Sequence, residues 1–112
     1  MIRKNRQSHT GYYIIAKSLL VNEDPAQGCE YIEKALHYKP DNYSYQKLKG
    51  KLYLERASML HDKDRALNYL KTSKSAYKQC LGLCQSKTKK QAKVQNALDT
   101  VQKKIRKLDK YR

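Results

Sequence analysis

The stretch that most constrains this chain runs from Tyr12 to Pro40, YYIIAKSLLVNEDPAQGCEYIEKALHYKP. Tyr12, Ile15, Ala16, Leu19 and Leu20 recur at intervals of three and four, the spacing of one helical face and not the alternation of a strand. Asn22, Glu23 and Asp24 end that helix. Asp24 followed by Pro25 starts another, because the Asp side chain accepts a backbone N–H at a helix start and Pro sits where its missing donor costs nothing. Cys29, Ile32, Ala35, Leu36 and Tyr38 share the apolar face of this second helix. Lys39-Pro40-Asp41-Asn42 closes it, since Pro drives the preceding residue out of helical geometry. Two short helices folded back on each other are thus the unit against which everything else must pack.

A chain of 112 residues has room for one core and predicts a single domain spanning 1–112. It contains no Phe and no Trp, so aromatic packing falls to ten Tyr residues, whose hydroxyls need partners when buried. No run of about 18 apolar residues exists, which predicts no membrane span. The basic start MIRKNRQSHT has neither the apolar core nor the cleavage site of a secretory leader. Cys29, Cys80 and Cys84 make an odd number without a disulfide framework, so reduced thiols and a cytoplasmic setting are expected. With His37 they lack the tight paired spacing of zinc ligands, so neither a metal nor a cofactor is expected.

Tyr12, Ile15, Ala16, Leu19, Gly28, Ile32, Ala35 and Pro40 stand at the spacings of the tetratricopeptide repeat. The first hairpin, residues 10–42, resembles one 34-residue repeat of that family over about a third of the chain. The resemblance has a physical content. Ala16, Gly28 and Ala35 would let two antiparallel helices approach, while Tyr12, Ile15, Leu19 and Ile32 fill the space between them.

Residues 43–84 read as a second, degenerate copy. Gly50 and Tyr53 lie 34 residues after Ala16 and Leu19, but Gln46 and Lys49 replace large residues, and Ala66, Leu70 and Ser73 arrive four residues late. Four residues are about one helical turn, so a longer first helix and a turn near His61-Asp62-Lys63-Asp64 accommodate them. The second helix of this copy then continues to about Cys84. After Ser86 and Thr88, either of which can cap a helix, Val94, Leu98, Val101, Ile105 and Leu108 form a narrow seam at intervals of four and three over 88–109. This basic segment resembles the capping helix of tetratricopeptide domains. The seam is also a surface through which copies of the chain would oligomerise if it were left open. The fold expected from these elements is all-α: about five helices, arranged as the resemblance implies in a right-handed superhelical stack of antiparallel hairpins.

Charge points to the partner. Lys and Arg number 25 against 10 Asp and Glu, a net charge of +15 that attracts anions. After Gln85, ten Lys or Arg face only Asp99 and Asp109. No Gly-rich phosphate loop or His-Glu-x-x-His arrangement is present, and His9, His37 and His61 fall at expected helix ends and turns, so no enzyme activity is expected. The family resemblance implies a concave groove lined by the first helix of each repeat. The matching positions are Thr10, Tyr13, Lys17, Leu20 and Val21 from the first copy, and Ser44, Lys47, Lys51 and Leu54 from the second. Tyr13, Lys17, Leu20, Lys47, Lys51 and Leu54 are the expected binding residues for an acidic or amphipathic protein segment, as in an adaptor or chaperone-like module. Lys17 and Lys51 would suit a carboxylate clamp of the family's kind, but its Asn is absent and no clamp is assigned. The alternative is RNA or single-stranded nucleic acid. It would be held by Arg3, Lys4 and Arg6 of the basic arm 1–9 and by Lys89, Lys90, Lys93, Lys103, Lys104, Arg106 and Lys107, with Tyr12, Tyr13, Tyr43, Tyr45 and Tyr53 as stacking faces.

Overall fold

A computed structural model describes residues 9–84 and 89–110. The basic arm through Ser8, with Arg3, Lys4 and Arg6, lies outside the described residues, as do Ser86 and Thr88. The described residues form five helices and no strand: α1 (His9–Val21), α2 (Pro25–Tyr38), α3 (Tyr43–Ser58), α4 (Lys63–Leu83) and α5 (Lys89–Lys110). Each connection is written in the local sequence. α1 ends on Glu23, which takes a left-handed φ of 60° so that the Asp24 N–H can donate back to the Leu19 carbonyl at 2.8 Å. Asp24 caps α2 by accepting from the Gln27 N–H at 3.3 Å. Asn42 does the same for α3 from Tyr45, and Asp62 for α4 from Asp64 and Arg65.

Consecutive helices pack antiparallel. Tyr12, near the start of α1, lies against Tyr38 at the end of α2, with ring centroids 6.5 Å apart. Gly28 of α2 faces Leu52 and the Ala16 carbonyl, and a Cβ added there would stand 2.5 Å from Leu52 Cδ2. At the next crossing the Ser73 hydroxyl donates to the Gly50 carbonyl at 2.7 Å, and a Cβ on Gly50 would meet the Tyr77 ring at 2.7 Å. The small residues of both hairpins therefore sit where helices approach most closely. Gln46 and Lys49, the two departures from the repeat spacing, are also used: Gln46 Nε2 donates to the Pro40 carbonyl at 2.9 Å, and Lys49 pairs with Glu33 at 3.3 Å.

The core has two parts with α3 as their shared wall. Tyr45, Leu48 and Leu52 turn toward Ala16, Cys29, Ile32 and Ala35 on one side. Ala57 joins Leu67, Leu70, Tyr77, Val94, Leu98 and Val101 on the other. The seam of α5 is spent here. Val94 and Val101 are fully buried and Leu98 nearly so, packed on α4, so the seam is closed within the chain and is not open to a partner helix as considered from the sequence.

Two other expectations are corrected. Ile15, assigned to the space between the first two helices, is 42% exposed, and Ile14 beside it is 56% exposed. Among the described residues α1 is the end of the stack, so only the face carrying Ala16 has a helix against it. His9, expected at an exposed helix end, is half-buried and hydrogen-bonded through Nδ1 to the Tyr45 hydroxyl.

Candidate basic binding groove

Because neighbours alternate in direction, α1, α3 and α5 run the same way, and their outward faces border one cleft of about 550 Å³. α1 contributes Lys17, α3 contributes Lys47 and Lys51, and α5 contributes Lys89, Lys90 and Lys93. Helical spacing accounts for each set. Lys47 and Lys51 are one turn apart on α3, as are Lys89 and Lys93 on α5. Between the cations lie Tyr13, Leu20, Val21, Tyr43 and Leu48. No carboxylate is among the described residues lining the cleft.

Six ammonium groups without a counter-charge repel one another. Burial, and then the charges of Lys51, Lys93 and Lys90, hold the Lys47 ammonium below its ordinary pKa. Two of the lysines rest on aromatic faces: Lys17 Nζ lies 5.6 Å from the Tyr13 ring centroid and Lys90 Nζ 5.2 Å from that of Tyr43. The Tyr43 hydroxyl also donates to the Lys90 carbonyl, tying the start of α3 to the start of α5. The cleft is thus a positive, partly apolar concavity whose cations lack protein partners of opposite charge along its lining.

Of the residues expected from the sequence to hold a protein segment, the structure brings together Tyr13, Lys17, Leu20, Lys47 and Lys51. Val21 and Ser44 line the same cleft, whereas Thr10 is merely exposed near the start of α1. Leu54 does not join them. It lies two turns beyond Lys47 on α3 and lines a separate cleft with Leu60, Leu70, Lys104, Lys107 and Leu108. Lys89, Lys90 and Lys93, assigned from the sequence to nucleic acid, share the first cleft with Lys17, Lys47 and Lys51. What the sequence pattern did not reveal is that the start of α5 is the third wall of the groove, because periodicity shows which face of α5 is buried on α4 and not which helix its flank lies beside. Lys103 and Arg106 are exposed, off the buried stripe of α5.

The tyrosines are mostly occupied. Tyr45 is 4% exposed, Tyr13 packs on it with centroids 4.9 Å apart, and the Tyr53 hydroxyl donates to Glu33 at 2.9 Å. Tyr12 packs between Tyr31 and Tyr38. The cysteines are likewise set apart. Burial pushes the Cys29 thiol up to about 11 and the Cys80 thiol to about 12, in opposite halves of the core, and Cys80 Sγ donates to the Tyr43 carbonyl. Among the described residues no three His, Cys, Asp or Glu side chains gather as metal ligands would. No described helix is long and apolar enough to cross a membrane.

Compared with family models, with curated proteins and with solved structures, the chain matches none of them.

Proposed function

We propose that this chain is a non-enzymatic, cytoplasmic interaction module of tetratricopeptide-like design. Its groove between α1, α3 and α5 captures an acidic or amphipathic segment of another protein, as an adaptor or chaperone-like protein would. The observation that carries the reading is the set of six lysines on three helices around apolar Leu20, Val21 and Leu48, with no acid among the described residues of the lining. Such a surface gains little by itself, since like charges in one concavity repel, and it becomes favourable when carboxylates enter. The resemblance of the first hairpin to the tetratricopeptide repeat would imply binding along α1 and α3, which supports this reading, and the close crossings at Gly28 and Gly50 suit a stack of antiparallel hairpins. Replacing Lys17, Lys47 and Lys51 together by Glu is expected to abolish capture of acidic partners without loss of helical signal. Unchanged capture would exclude the groove.

RNA or single-stranded nucleic acid is the second reading, favoured by the entry of Lys89, Lys90 and Lys93 into the groove. The occupation of Tyr13, Tyr45 and Tyr53 by neighbouring groups counts against base stacking there. Titration with labelled single-stranded RNA at several salt concentrations separates the two. A nucleic-acid site loses affinity steeply and linearly in log salt, and gives up its partner to nuclease.

A further inference from the structure

The face of α3 that carries Lys47 and Lys51 leads on to the second, separate cleft. Lys47, Lys51, Leu54 and Ser58 recur at four, three and four residues and so share one face of α3, and Lys93, Ala97, Thr100 and Lys104 share one face of α5, with Lys93 in the groove and Lys104 in the second cleft. Toward the far end of these faces a cleft of about 330 Å³ lies between the end of α3, the start of α4 and the end of α5. Its floor is apolar: Leu54, Leu60 and Leu108 are half-buried there beside Ala66 and Leu70. Lys104 and Lys107 stand at its edge. A cavity of roughly 150 Å³ already holds a benzene-sized group, so this one has room for a leucine or phenylalanine side chain.

We propose that the groove and this cleft form one bipartite site for an amphipathic helix, whose acids meet Lys47 and Lys51 and whose large apolar side chain enters the cleft beside Leu54. The proposal rests on the groove being a protein-binding site and names what its partner must look like. Lys47 and Leu54 are seven residues apart, about 10 Å along α3. A helix lying along α3 spans that distance in two turns, with acids and anchor on one face. A helix is also the form that suits these walls. Groove and cleft are bordered almost wholly by side chains of helices whose backbone groups are already paired, so an extended segment would find no strand edge to satisfy its own N–H and C=O groups. Charge continues across both parts, since Lys104 and Lys107 at the cleft carry the sign of the groove.

The test uses the full chain and two labelled alanine-rich helical peptides of the same composition. One has two glutamates four residues apart and a leucine three residues beyond the second, seven from the first, so that all three share a face. In the other the leucine is moved by two residues, which turns it by roughly 200° to the far side. The in-register peptide is expected to bind about tenfold tighter by fluorescence anisotropy, the effect of burying one leucine. Leu54→Ser and, separately, Leu108→Ser are expected to bring the ratio close to one. Both residues are only half-buried, and if one variant loses its helical circular dichroism the other carries the measurement. Equal binding of the two peptides, with both weakened by Lys47→Glu and Lys51→Glu, would leave the groove standing and overturn the bipartite site. A preference that survives in the folded serine variants would overturn it too. Binding of neither peptide would remove both readings.

Discussion

Gly50 shows how closely single residues govern the stack. A methyl group there would stand 2.7 Å from the Tyr77 ring, and Tyr77 is 1% exposed within the core that also holds Val94, Leu98 and Val101, so the ring has little room to yield. Gly50→Ala is therefore expected to destabilise by about 1 to 3 kcal/mol in urea denaturation despite the better helix propensity of Ala. This requirement was legible in the sequence, because Gly50 stands 34 residues after Ala16; that its neighbour would be a tyrosine ring from α4 was not. The buried thiols set a pH limit at the same scale. Cys29 and Cys80 titrate at about 11 and 12 in the folded chain, against an ordinary value of 9.0. The folded state thus favours the protonated thiol, so this stabilisation is complete below pH 9 and is lost as the pH rises toward 11 and 12. The urea midpoint is expected to fall between about pH 8 and about pH 10.5, and to fall less when both residues are replaced by Ala.

Among the elements, α3 and α5 had opposite legibility for one physical reason, the number of faces each buries. α5 packs on one side only, so Val94, Leu98, Val101 and Ile105 repeat cleanly and mark it as a helix laid on α4. α3 is a wall between two cores. Tyr45, Leu48 and Leu52 face one way and Gly50 and Ala57 another, which leaves the run Lys47-Leu48-Lys49-Gly50-Lys51-Leu52 looking like the alternation of a strand. Only the small-residue spacing carried over from the first hairpin identified it. Ile15 was misplaced because periodicity shows which residues share a face, not whether a second helix covers it. Since α5 completes the second core, Leu98→Ala is expected to cost about 2 to 5 kcal/mol and to lower the unfolding midpoint of the whole chain in one transition. A separate early transition confined to α5 would mean that the helix is an appendage and not part of the core.

On the scale of the whole molecule, the positive charge is gathered more than the sequence alone indicates. Two groups of lysines far apart in sequence, Lys17, Lys47 and Lys51 and then Lys89, Lys90 and Lys93, converge on one groove because α4 returns the chain to the start of α3. Residues kept for folding normally stabilise the fold, whereas Lys47 is held below its ordinary pKa first by burial and then by the like charges of Lys51, Lys93 and Lys90. The sign follows: the folded state disfavours the charged form of this lysine, so neutralising it relieves repulsion. Lys47→Gln is accordingly expected to leave stability unchanged or raise it by about 0.5 kcal/mol at low salt, while weakening the binding of an acidic peptide. The native chain should also gain stability as salt is added, and the variant should gain less, because screening and substitution remove the same repulsion. Paired urea melts at low and high salt, with peptide titrations on both proteins, check this together. A lysine that serves the fold would give the opposite result, losing stability on substitution with no change in peptide affinity.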